Sequence, residues 1–303
     1  MPPLYVTESQ VRRLLTPAEA RAAVEASFER LARGEIDNPP RVQLPISRGS
    51  FAVMPCVDRG LGYAGLKTFA WTPSGRPFLV VLISLEAPEV VAILEASALG
   101  ELRTAAASAV AARHLARPGA TTLGVIGCGA QAATHVAALR EAIPSLERIA
   151  VFCRNAERLS AFCREHDCDV AGTPADAGRC DVVVTVTTSR APVLVGEWLQ
   201  PGTTVLAIGG NEPGARELDD AVLERAGFVC TDSREQGLAE SADLSEPLVA
   251  GVLGPDDVHE LQDVVAGEVR GRRSDDEIAV FKSNGLAAWD LAAAAKVVEL
   301  STY

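Results

Sequence analysis

The stretch TLGVIGCGAQAATH, residues 122 to 135, constrains this chain more than any other. An apolar lead (Leu123, Val125, Ile126) runs into Gly127, Gly129 and Ala132 at G-x-G-x-x-A spacing, and an Ala-rich run follows. Glycines at this spacing say little alone. Where they close a buried strand and open a helix they form a dinucleotide cradle. Gly127 permits the tight turn, Gly129 lets backbone approach a pyrophosphate, and Ala132 allows close helix packing. The helix N-terminus then faces the phosphates. The alternative is a plain strand-to-helix turn.

The surrounding pattern supports the cradle. Strands at TLGVIG, RIAVFC, VVVTVT, TVLAIG and FVCTD alternate with helices such as AQAATHVAALREAI and AERLSAFCREH, the rhythm of a doubly wound parallel sheet. Before it lie a helix opened by Thr16, Pro17 and Glu19 and stopped by Gly34, then short β-rich segments from Pro39 to about Leu94. Those segments alternate apolar and polar residues, so a mostly antiparallel sheet is expected. The run ASALGELRTAAASAVAARHLAR is a long helix ended by Pro118 and Gly119. The expected fold class is therefore α/β, a Rossmann-type doubly wound parallel sheet plus a mixed α+β domain. Residues 1–112 form the latter, completed by a terminal helix within 284–303, and residues 113–283 the former.

Cofactor choice turns on the end of the second strand. Domains selective for NAD place an Asp or Glu there, about 20 residues beyond the glycines, to bind the ribose 2′-hydroxyl. This chain reads AVFCRNAERL, with Arg154 and Asn155 in that place. A guanidinium holds a 2′-phosphate by charge-assisted bonds. NADP(H) is favoured, with NAD(H) as the alternative and a solvated Arg154 as the bland reading.

Composition limits the partners. The 303 residues suit two modest domains, since single cores stop growing at roughly 250 to 300 residues. A net charge of −12 disfavours nucleic acid and anionic lipid. The apolar run near residue 80 is broken by Glu86, Pro88 and Glu89, short of the roughly 20 residues a membrane helix needs. The N-terminus lacks the basic and apolar regions of a secretion signal, so a cytoplasmic protein with a small-molecule partner is expected. Seven cysteines without a C-x-x-C pair, and four histidines without metal-site spacing, predict neither disulfide nor metal. Cys128 reads as a small loop side chain.

With these residues in place, the chain resembles the ornithine cyclodeaminase/mu-crystallin family over nearly its whole length. The resemblance rests on PPRVQL, GLKTF, LRTAAASAVAARHLA, LGVIGCGAQA, VVVTVTTS, AIGGNEPGARELDD and DDEIAVFKSNGLAAWDLAAA. The order of R-T-A-A-x-S and G-x-G-x-Q-A is its most specific part. It implies a homodimer whose first domain carries substrate and dimer contacts, and a Rossmann domain that positions a nicotinamide for hydride transfer at an amino acid α-carbon or its imine. Arg41 and Lys67 match the family's carboxylate-binding residues, and Arg103 one that approaches the substrate. Thr104, Gly129, Ala130 and Gln131 match cofactor-phosphate ligands, and Thr187 and Ser283 residues beside ribose and nicotinamide. Arg154 and Asn155 fall where NADPH-binding members carry Asn-Arg-Thr.

The residues support these assignments unevenly. Lys67 lies in the apolar strand YAGLKTFAW, where an unpaired ammonium is costly, so it should meet a carboxylate or have a lowered pKa. Arg103 precedes TAAASAVAA and is expected near a helix start, where the dipole disfavours a cation and suits it to anion binding. Arg41 alone would look like an exposed charge, and Met54 either lines the pocket or packs the core. Cyclodeaminases proper carry Asp in a GG-D-x-P-G turn, whereas this chain reads GGNEPG with Asn211. An amide is no general base near neutral pH, and the adjacent Glu212 is expected to point elsewhere. The expected activity is an NADP(H)-dependent reduction of imines of small carboxylic acids, from a cyclic ketimine or from an oxo acid plus an amine. Ornithine or lysine cyclodeamination is one alternative. Binding of NADPH or a small ligand without catalysis is the other, disfavoured by the retained Arg41, Lys67 and Arg103.

Overall fold

A computed structural model describes residues 2–73, 75–211 and 214–301. The elements run β1 (Leu4–Val6), α1 (Glu8–Leu14), α2 (Pro17–Ala32), β2 (Ile36–Asp37), β3 (Val42–Ile46), β4 (Gly49–Asp58), β5 (Tyr63–Trp71), β6 (Phe78–Ser84), β7 (Val90–Glu95) and α3 (Ser97–Leu115). They continue with β8 (Thr122–Ile126), α4 (Ala130–Ala142), β9 (Arg148–Phe152), α5 (Ala156–His166), β10 (Asp169–Val170), α6 (Pro174–Gly178), β11 (Val182–Thr185) and β12 (Thr204–Ala207). The last are α7 (Asp220–Glu224), β13 (Ala226–Thr231), α8 (Arg234–Glu240), α9 (Ala242–Ala250), β14 (Val258–Glu260), α10 (Leu261–Val265), β15 (Ile278–Lys282) and α11 (Ala287–Ser301). Contacts divide the chain into residues 1–107 with 285–303, and residues 108–284.

In the first unit, α2 starts where its cap dictates. Thr16 Oγ1 accepts from Glu19 N at 3.3 Å while Glu19 Oε2 accepts from Thr16 N at 2.9 Å, with Pro17 at the first helical position. The sheet runs β1-β7-β6-β5-β4-β2, with β3 also on β4. It is antiparallel except for β1, parallel to β7. Alternation along β4 buries Ala52, Met54, Cys56 and Asp58, and α11 packs against β4, β5 and β6. All five residues of β3 are exposed.

The second unit is an eight-stranded parallel sheet, β10-β9-β8-β11-β12-β15-β13-β14. Its core is built from Val183, Val205, Val280, Leu218 and Leu244. The strand pattern of the sequence omits β15, IAVFK, which lies between β12 and β13. Every residue of β15 is buried, so it carries no period-two signal. Among the described residues no helix is long and apolar enough to cross a membrane.

Candidate active site

In the first unit, three distant segments bring two cations to one carboxylate. Lys67 stands on β5 directly opposite Met54 of β4 and Val80 of β6, and all three are buried. Its Nζ donates to Asp290 Oδ1 of α11 at 3.2 Å, and Arg103 Nε of α3 donates to the same oxygen at 2.9 Å. Lys67 and Arg103 are 4% and 6% exposed and Asp290 is 0% exposed, so neither cation meets the carboxylate through bulk water. Burial and then the Arg103 charge push the Lys67 ammonium down to about 8, against the pull of Asp290, and Arg41 adds to the downward push. Lys67 therefore has both features expected of it, a carboxylate partner and a lowered pKa.

The helix-start argument for Arg103 fails. α3 begins at Ser97, so Arg103 lies beyond the first turn, where the dipole has faded; Asp290 is what holds it. Its Nη1 and Nη2 make no hydrogen bond among the described residues, leaving a fork for a carboxylate. Gly285 lies beneath that fork. At φ +85°, it has no side chain where a Cβ would come within 2.8 Å of Arg103 Nη1. Thr104 Oγ1 donates to Gly100 O at 2.7 Å within its own helix.

In the second unit the glycine loop is shaped for a dinucleotide. Gly127 adopts φ +128°, and a Cβ there would stand 2.6 Å from Val186 O. Gly129 is the N-cap of α4, ahead of Ala130 and Gln131. A Cβ on Gly129 would meet only Arg158 Nη2, at 3.7 Å, which leaves room for a phosphate. Gln131 Oε1 is buried without a partner among the described residues, and Ala132 is fully buried. These residues fit a nicotinamide dinucleotide. Arg154 is exposed, and Asn155 caps α5, its Oδ1 accepting from Arg158 N at 2.8 Å. Thr187 N donates to Glu217 Oε1 at 2.6 Å, and Ser283 Oγ to Asp232 Oδ2 at 2.9 Å.

Asn211 lies among the carbonyls of Ile208, Gly209 and Ser283. With its amide nitrogen turned toward them it donates at 3.3, 3.3 and 3.0 Å; in the opposite orientation its Oδ1 accepts from Lys282 Nζ at 3.3 Å. Beside it is the fully buried Lys282, whose ammonium donates to Gly209 O and to Ser283 O. Glu217 and Asp243 sit nearby, both raised by burial and drawn back down by Lys282. Glu212 lies outside the described residues.

Asp290, Arg158 and Lys282 are absent from the expected site. Asp290 had a legible signal: it is the one acid in the apolar run GLAAWDLAAAA, and such a charge must be paired. Arg158 and Lys282 had none, because the fold alone brings them to these places. One expectation is overturned. Cys128 is disulfide-bonded to Cys153, with Cα atoms 5.9 Å apart. The two lie at the ends of the adjacent strands β8 and β9, and a separation of 25 residues carries no local spacing pattern.

The family model described as Ornithine cyclodeaminase/mu-crystallin family matches residues 3–302. An alanine dehydrogenase of Archaeoglobus fulgidus is 37% identical over 99% of this chain and 95% of its own. A Delta(1)-pyrroline-2-carboxylate reductase of Bacillus cereus is 32% identical over 98% and 96%. The solved structure of an archaeal alanine dehydrogenase dimer with bound NAD superposes with a TM-score of 0.92 at 35% identity, covering 99% of this chain and 96% of that one. The α/β architecture, with one mixed and one parallel sheet, is shared with these relatives, and the chain belongs to the ornithine cyclodeaminase/mu-crystallin family.

Proposed function

We propose that the chain is a nicotinamide-dependent enzyme that reduces imines of small carboxylic acids to amino acids, the imine being a cyclic ketimine or the product of an oxo acid and an amine. The observation that carries this reading is the Arg103 fork, open at Nη1 and Nη2 while Nε is anchored on Asp290 beside Lys67. The names of the relatives, an alanine dehydrogenase and a pyrroline-2-carboxylate reductase, support it.

The first unit binds substrate. Arg103, with Arg41, takes the carboxylate, and Met54 lines the wall beside Lys67. Lys67 holds the proton that the imine nitrogen needs: with its pKa near 8, the ammonium form dominates at neutral pH yet gives up a proton readily. The second unit holds the cofactor on Gly129, Ala130 and Gln131, with Thr187 and Ser283 as further contacts. A bound nicotinamide supplies or accepts the hydride at the substrate carbon. Asn211 hydrogen-bonds the amine without acting as a base, which separates this chain from the cyclodeaminases.

NADP(H) is the preferred cofactor in this reading, because no acid occupies the end of β9 and Arg154 and Arg158 both lie there. The protein acts as a homodimer. β3 leaves Val42, Leu44 and Ile46 at 54%, 53% and 42% exposed, beside Phe51 at 38%, an apolar edge that soluble proteins cover; the archaeal relative is described as a dimer. A screen of NADPH oxidation with cyclic imino acids, and with oxo acids plus ammonia or methylamine, tests the activity. Turnover of at least one such substrate is expected, and none across the panel refutes it.

A further inference from the structure

Among the described residues, the only carboxylate hydrogen-bonded to the two buried cations of the first unit belongs to Asp290, and the roles above give it no part in the protonation of Lys67. We propose that Asp290 is a positioning residue that fixes Lys67 and Arg103 on a single oxygen, holding the proton on Lys67 while it aims the Arg103 fork. The inference rests on the reading of Lys67 as the proton donor.

The geometry is economical in donors. Asp290 Oδ1 receives Lys67 Nζ at 3.2 Å and Arg103 Nε at 2.9 Å, while Oδ2 is buried with no partner. Leaving a buried carboxylate oxygen without a protein partner is costly, and Asp290 is fully buried. A carboxylate kept merely for packing would not be placed so. Both cations spend one N–H on it. Lys67 keeps two N–H groups, and Arg103 its two terminal nitrogens, for a ligand.

The groups around Lys67 come from every neighbouring element. Asp290 reaches it from α11, Arg103 from α3 and Arg41 from the segment before β3. The Phe78 ring of β6 has its centroid 5.5 Å from Nζ. Cys56 on β4 has its thiol pushed up to about 12, chiefly by burial, and is therefore uncharged through the neutral range. Of the charged groups among these, Asp290 alone favours the ammonium, with the Phe78 ring face as a weaker support; burial and the two guanidiniums favour the free amine. Without Asp290, Lys67 would lose its proton at lower pH, and Arg103 would lose the bond that orients its fork.

The chain contains three lysines, Lys67, Lys282 and Lys296, so lysine labelled with 13C at Cε yields three resonances whose titration can be followed in the whole protein, with Lys67→Met identifying the Lys67 signal. In the wild type Lys67 should titrate near 8. In Asp290→Asn it should titrate at least about one pH unit lower, and Asp290→Glu should restore most of the difference. The alkaline limb of kcat/KM for imine reduction should move down in parallel, and KM should rise as the fork loses its aim. An unchanged Lys67 titration in Asp290→Asn, with activity lowered equally at every pH, overturns the proposal. Should Asp290→Asn fail to fold, the wild type decides: a Lys67 that titrates below about 7 is not held by a carboxylate against burial and two guanidiniums. If Lys67→Met leaves the alkaline limb in place, the donor role fails, while the resonance shift still judges Asp290.

Discussion

Arg158, on the first turn of α5, brings its Nη2 to 3.7 Å from the point where a side chain on Gly129 would begin. A guanidinium from the helix that follows the second strand thus approaches the glycine loop, and Asn155 fixes the base of that helix by capping it. Arg154 lies exposed beside them. Two arginines at this junction should discriminate in favour of a 2′-phosphate. Arg154→Ala should reduce the preference for NADPH over NADH by about 10- to 150-fold, the equivalent of roughly 1.5 to 3 kcal/mol. Arg158→Ala should weaken both cofactors through the phosphates next to Gly129. Titration of each cofactor into wild type and variants measures this, and an NADH affinity equal to that for NADPH in the wild type refutes the preference.

Gly285 offers a test of the carboxylate fork that leaves every charge in place. A methyl group there meets Arg103 Nη1 at 2.8 Å in a backbone of φ +85°. Gly285→Ala should therefore displace the guanidinium and raise KM for the best carboxylic substrate by about 10-fold or more, with a backbone cost of about 1 kcal/mol. Arg103→Ala and Lys67→Ala should each lower kcat/KM, and substrate analogues lacking the carboxylate should be poor. Wild-type kcat/KM in both alanine variants would place the substrate elsewhere.

The outline of the fold is readable in the chain because its signals are local. The capping box at Thr16 and Glu19, the alternation along β4 and the glycine turn after β8 each declare an element over a few residues. β15 is not readable, since a fully buried strand between two others has no polar face to mark its period. The site divides in the same way. Lys67 in an apolar strand demands a carboxylate, but only the packing of α11 on β5 identifies Asp290 as the one that answers. The Ala-rich run after Arg103 suggests a helix start there, but the helix begins six residues earlier at Ser97. The Cys128–Cys153 bond depends on two parallel strands ending side by side, which no spacing in the sequence announces.

That bond has a direct readout. Thiol titration of the denatured, unreduced protein should find five thiols, and seven after reduction. The bond closes a separation of 25 residues. On the chain-entropy view, reduction should lower the stability of the second unit by about 3 kcal/mol. Seven thiols before reduction would show that the two cysteines stay free in the isolated protein.

The proposed reaction type turns on Asn211. A base that removes an ammonium proton before hydride departure contributes on the order of 100- to 10,000-fold, and an amide surrounded by the carbonyls of Ile208, Gly209 and Ser283 cannot serve as one. Ornithine and lysine cyclodeamination should therefore be slow. Imine reduction needs a proton delivered, which Lys67 provides in its ammonium form, so its rate should fall as pH rises through about 8. Oxidation of an amino acid needs the opposite states, with a neutral substrate amine and a neutral Lys67, and should appear only as pH rises above that value. Asn211→Asp places a carboxylate beside the Lys282 ammonium, and a gain of cyclodeamination in that variant would show that the missing base is what the wild type lacks. The deciding assay compares proline release from ornithine, with catalytic NAD or NADP, against NADPH consumption with cyclic and acyclic imines. Rapid proline release by the wild type without net cofactor turnover would replace imine reduction with cyclodeamination as the activity of this site.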